Sequence, residues 1–378
     1  MKGAGAYRQL IVTGEASDPV RNNFNALRLA MALLVIWSHS FAIHAGSESG
    51  EWLSLLLHGV FNAGNIGVMA FFVISGFLIL QSYDRSRSTA AYFEKRIRRI
   101  YPGYIVATTI SSFFFLYFIA PAARVDWLAW LKTIGMNLLL RNYSPAPDSR
   151  GFIDGGLLSI NGALWSIPYE FWCYIGVAIL GAMLLLRYRW FIAFSVICVM
   201  IAHIVLDLLG KMPGLGIVGR IFGQPYEWTL MAPCFLLGMV AYAFRASLPR
   251  SRWLLVCLPV ASVMACWVHN DLGYVIFLPS LAYGIFYVAF SDTIPLHNAA
   301  KFGDFSYGTY LYGFLIQMTL QLTIARDLSL TGFFLVSAAL ALAAGILSWH
   351  FVEKRFLPRR LSGNTRGRGD RVPVAMTG

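Results

Sequence analysis

Arg28 and His39 stand eleven positions apart in the apolar run ALRLAMALLVIWSHSFAIH. Eleven residues make almost three helical turns, so both side chains leave one face, about 16 Å apart along the axis, with small Ala32 and Val35 between them. An imidazole is suited to taking a proton from a hydroxyl near neutral pH, and a guanidinium to gripping phosphate or a thioester oxygen. The same residues could instead be a positive anchor at the membrane edge and a bridge between two helices. A second group, Lys95, Arg96, Arg98 and Arg99, precedes Tyr101-Pro102-Gly103-Tyr104. Arg96 and Arg99 are neighbours on one helix face and could clamp a polyphosphate, or the cluster could set topology against lipid headgroups. The third candidate is Glu170 in LWSIPYEFW, which could orient an imidazole, accept from sugar hydroxyls, pair with an arginine or form a structural ion pair. Asp207, Glu227 and Asp304 lie nearer the ends of apolar runs, where hydration makes charge cheap, and rank lower, as do the other six histidines.

The elements that must position these residues are membrane helices. The chain is 58% hydrophobic and only 13% charged, with a mean hydropathy of +0.63, far too apolar for a soluble globule. Ten stretches approach the roughly 20 residues that cross a hydrocarbon core. They fall near 26–44, 60–81, 100–120, 163–186, 190–209, 227–244, 253–269, 272–290, 305–325 and 330–351. The seventh and eighth meet at a tight turn, His269-Asn270-Asp271. The run 124–140 carries Arg124, Asp126 and Lys132 and fits an interfacial or re-entrant helix. The fold class expected is therefore all-α and polytopic, with about ten transmembrane helices, a flexible cytoplasmic segment 1–21, one membrane domain 22–357 and a disordered basic tail 358–378.

Placing both termini in the cytoplasm puts 23 of the 30 Lys and Arg residues in inside segments and 7 outside, as positive loops require. The formal charge of +12 then reflects topology and contact with anionic lipid, and nucleic acid need not be invoked. The N-terminal residues lack the apolar core of a cleavable signal, so the first span is expected to act as an uncleaved anchor. The five cysteines lie in apolar runs without CxxC spacing and read as packing residues; no metal site is expected.

Six blocks in order then carry a resemblance: Arg28 with His39, GVMAFFVISGFLI (67–79), FEKRIRRIYPGY (93–104), LWSIPYEFW, FSYGTYLYGF (305–314) and WHFVEKRF (349–356). Their order and spacing resemble acyltransferase family 3, the membrane O-acyltransferases, from about residue 22 to 357. The resemblance implies a bacterial inner-membrane enzyme that takes an acyl group, usually acetyl, from coenzyme A in the cytoplasm. It delivers the group to a hydroxyl of a cell-surface or secreted carbohydrate or glycolipid. It further implies that Arg28 and His39 are the family's essential pair, that Arg96 and Arg99 are its RxxR motif on the acetyl-CoA side, and that Glu170 is its acidic residue. The chain departs from the pattern at Gly313, where many members have histidine, and in Glu353-Lys354-Arg355, where a proline commonly follows the lysine. It also stops at Gly378, without the hydrolase-like domain some members add. A transporter or flippase of a lipid-linked or anionic substrate is the rival class, although no repeated halves or paired interrupted segments are visible.

Overall fold

The computed structural model describes Leu10 and residues 22–114, 127–140, 161–210, 222–291, 293–294, 296–323 and 327–357. Eleven helices account for most of them. They are α1 Phe24–Ser40, α2 Ala63–Asp84, α3 Thr89–Phe114, α4 Trp127–Leu138, α5 Ser166–Ala182, α6 Arg189–Leu208, α7 Pro225–Ala243, α8 Arg252–Val268, α9 Asn270–Ala289, α10 Ser306–Thr323 and α11 Leu330–Ser348. No strand occurs among the described residues. A helix lies over each of the ten apolar stretches, and α4 over the run read as interfacial. Among the described residues, five segments are long and apolar enough to cross a membrane by length and composition: Phe24–Ala45, Ala63–Asp84, Arg189–Leu208, Asn270–Ala289 and Leu330–Phe356; α8 is apolar but shorter. The segments 1–21 and 358–378 lie outside the described residues except for Leu10, which is buried and donates its N–H to Leu248 O at 2.8 Å.

Helix ends follow local chemistry. Asn62 caps α2 through a reciprocal box with Asn65, and Ser251 and Ser329 accept from Leu254 and Gly332 N–H to start α8 and α11. The expected turn at 269–271 is a single extended residue: His269, whose side chain accepts from Asp271 N–H, separates α8 from α9. Helix α1 runs on through a π-helical turn, Phe41–Ala45, and stops at Gly46, whose φ of +74° suits only glycine without strain.

Helix α2 is apolar all round and buried along most of its length, the pattern of a helix enclosed by others. Helices α1, α5, α7 and α9 pack around it. At the α2–α7 crossing Gly76 faces the Phe235 carbonyl and Gly238 faces the Val73 carbonyl, each too close for a Cβ. Gly308 and Gly345 bring α10 onto α11 in the same manner. The periphery is apolar and exposed, with Trp190, Phe194 and Ile201 on α6 and Trp253 and Met264 on α8. In water such a surface would associate; in lipid it is solvated.

Candidate active site

The site assembles around one aspartate. Arg28, one turn into α1, donates to Asn25 Oδ1 and pairs with Asp304 Oδ2 at 3.1 Å. Arg99 of α3 donates from Nη2 to the same Asp304 oxygen at 2.6 Å. Its Nη1 reaches Glu353 Oε2 at 3.3 Å, and its guanidinium lies over the rings of Tyr307 and Trp349. Asp304 lies two residues before the start of α10 and accepts a further bond from Ser306 Oγ at 2.6 Å. Glu353, 1% exposed, ends a π-helical turn after α11 and accepts from Ser348 Oγ. Burial by itself would raise the Asp304 carboxyl, but Arg28, Arg99 and the Ser306 hydrogen bonds outweigh it and hold the group down at about 2.

This network forms one wall of a cavity of about 370 Å³ whose lining includes Arg28, Arg96, Arg99, Lys95, Glu170 and Tyr310. Arg96 is held differently from Arg99. Among the described residues, its Nη2 donates only to Ser82 Oγ, at 3.2 Å, and its buried Nε has no hydrogen-bond partner. The buried Nε of Arg28 is equally without one. Buried donors are rarely left so, and two of them beside one cavity mark a place for an anionic ligand. Glu170 lines the same cavity, where its Oε1 accepts from Ser75 Oγ and Tyr174 OH, both at 2.7 Å. It has no hydrogen bond to an imidazole or an arginine among the described residues.

The sequence-derived candidates therefore fall into two places. Arg28, Arg96, Arg99 and Glu170 share the cavity; His39 is not among its lining residues. His39 meets the edge of the Phe314 ring, with centroids 5.4 Å apart, and its buried Nδ1 has no partner among the described residues. Phe314 is one helical turn beyond Tyr310 on α10, and Tyr310, joined to Ser166 Oγ at 2.8 Å and set edge-on to Phe71, closes that end of the cavity. His39 thus lies just past a tyrosine layer. Gly313 stands where many members of the resembled family have histidine, and a Cβ there would come 2.8 Å from Ile36 Cγ1, so the position serves the close approach of α1 and α10.

Sequence reasoning undervalued Asp304 and passed over Glu353, Ser75 and Tyr174. Asp304 directly precedes the FSYGTYLYGF block and Glu353 lies within WHFVEKRF. Two acids bordering strongly patterned blocks, in a chain with only 18 in all, were the available signal. Among the described residues no group of three or more His, Cys, Asp or Glu could hold a metal ion.

A family model described as an acyltransferase domain matches residues 21–350. The O-acetyl transferase of Shigella phage Sf6 is 32% identical over 356 residues, covering 89% of this chain and 96% of the relative. Nodulation protein 10 of Rhizobium leguminosarum bv. viciae is 28% identical over 392 residues, covering 93% of this chain and 97% of the relative. No solved structure matches the chain.

Proposed function

Since the chain belongs to this acyltransferase family, with the match spanning residues 21–350, we propose that it moves an acyl group, by preference acetyl, from cytoplasmic acyl-coenzyme A to a hydroxyl of a cell-surface or secreted carbohydrate. The observation that carries the donor half is the cavity bearing three guanidiniums, two of them with unpartnered buried Nε atoms. Such a site suits the phosphates of coenzyme A better than a neutral solute. Arg96 and Arg28 hold the phosphates. Arg99, committed to Asp304 and Glu353, positions Asp304 and through it Arg28.

The pantetheine arm then bridges the roughly 16 Å between the levels of Arg28 and His39 and passes the Tyr310 layer. His39 removes the proton of the acceptor hydroxyl, the oxygen bonds to the thioester carbon, and the carbon–sulfur bond breaks. The departing thiolate takes the proton back from His39, which leaves both products neutral at the reacting atoms. Holding donor and acceptor together in a water-poor passage supplies much of the rate gain. The enzyme acts from the bacterial inner membrane, with its donor cavity open to the cytoplasm.

Consumption of acetyl-CoA by purified full-length protein, measured with and without a mixed glycan acceptor, tests this reading. His39→Ala should lower transfer at least about a hundredfold, the scale of a lost general base, while donor binding persists. Full transfer by that variant rejects the role of His39. Failure of the wild type to consume acetyl-CoA, alongside selective uptake of a solute into vesicles, would favour a transporter.

A further inference from the structure

At the end of the bundle away from the arginine cavity, a second cavity of about 260 Å³ lies between α2, α6, α7 and α9, and its polar lining includes Asn65, His203, Asp207, Tyr226, Asp271 and Tyr274. His203 is 5% exposed and sits between two rings, stacked on Tyr274 at 4.0 Å and tilted against Tyr226 at 5.2 Å. Its protonation pattern can be read from its neighbours. Thr229 Oγ1 donates its single proton to Tyr226 O at 2.7 Å, so towards His203 Nδ1, 2.8 Å away, it accepts. Nδ1 therefore carries the hydrogen, and Nε2 is an acceptor with no partner among the described residues. The carboxylate of Asp207 has neither a hydrogen bond nor an ion pair among the described residues. That of Asp271 has only His269, at 3.8 Å.

Among the described residues, the chamber thus offers an excess of free acceptors and no lining lysine or arginine. It also has the amide of Asn65, whose oxygen is already used by Asn62 N–H. A ligand rich in hydroxyls matches this set, because each hydroxyl donates to a carboxylate or Nε2 and can accept from the amide, whereas an alkylammonium only donates. The tyrosine rings suit the apolar face of a pyranose. Depth agrees as well. Gly64 of α2 packs on Ser38, so the mouth of this cavity at Asn65 lies level with His39, on the other flank of α2.

We propose that this cavity is a subsite for a neutral sugar unit of the acceptor; the inference rests on the transferase reading above for its purpose, though not for its chemistry. The test uses saturation-transfer NMR on the detergent-solubilised full chain with maltose, cellobiose, lactose and glucosamine as probes. At least one neutral disaccharide should bind, and Asp207→Asn combined with Asp271→Asn should weaken that binding about tenfold or more. Tyr226→Ala, which leaves both carboxylates in place, should weaken it too, and thermal melts identify any variant that has merely unfolded. The proposal is overturned if no disaccharide binds, if binding ignores these substitutions in folded protein, or if glucosamine alone binds. Acetyl-CoA consumption by the wild type is measured in parallel. Sugar binding without thioester consumption would remove the transferase reading and leave the sugar site standing, and the reverse result would remove only the site.

Discussion

Arg96 and Arg99, one helical turn apart, perform different physical tasks, and substitution should separate them. Arg99 bridges Asp304 and Glu353, and Glu353 is 1% exposed. Arg99→Ala therefore leaves a buried carboxylate without its cation and should destabilise the fold by roughly 3–5 kcal/mol. Arg96→Ala removes a guanidinium bound only to Ser82, so the melting temperature should move little while the KM for acetyl-CoA rises about tenfold, the worth of one charged contact. Equal effects from the two would contradict the division. Asp304→Asn should cost about 3 kcal/mol, the lower end of that range because Arg28 and Arg99 retain 23% and 21% exposure. The pH dependence is fixed in sign. A carboxyl held near 2 contributes stability that is complete above about pH 4 and is lost as pH falls through 2, so the gap in melting temperature between wild type and variant should narrow below pH 4. At this scale the sequence disclosed the arginines and His39 because ionisable groups in apolar runs are rare. It hid Asp304, because a carboxylate at a helix end looks hydrated until the chain around it is folded.

Helices meet here through small residues, and the crossing of α2 and α7 is the tightest. Gly238→Leu would drive a side chain into the Val73 carbonyl and the Phe77 N–H, backbone groups that cannot rotate away. Overpacking of this kind costs about 1–3 kcal/mol where side chains can yield, and more against backbone, so the variant should extract poorly and melt early. Gly176→Leu on α5 is the contrast: nothing lies within 4 Å of its added Cβ, and stability should change by no more than about 0.5 kcal/mol. If detergent melts showed the two alike, glycine approach would not be what holds α2 to α7. That a helix would lie over each long apolar run was legible, since such runs report themselves through length. The π-helical extensions after α1 and α11 were not, because such turns depend on packing rather than composition. The consequence was functional: the extension after α11 is what brings Glu353 to Arg99.

Over the whole molecule, two cavities occupy opposite ends of α2, one bordered by Phe71–Ile79 residues and three arginines, the other by Asn65 and Met69 with two carboxylates. A transferase that receives its donor from one compartment and its acceptor from the other needs such polarity. In the proposed topology the arginine cavity faces the cytoplasm, because Arg85, Arg87, Lys95, Arg96, Arg98 and Arg99 cluster between α2 and the apolar part of α3. That assignment also demands an odd number of crossings between Ser47 and Thr89, which α2 alone supplies. Both residues are exposed, so single cysteines can probe them once the five native cysteines are replaced. In intact cells a membrane-impermeant maleimide should label Ser47→Cys and Asn270→Cys, and should reach Thr89→Cys only after the membrane is opened. Labelling of Thr89→Cys from outside would turn the protein over, place the three guanidiniums away from coenzyme A, and remove the donor assignment with it.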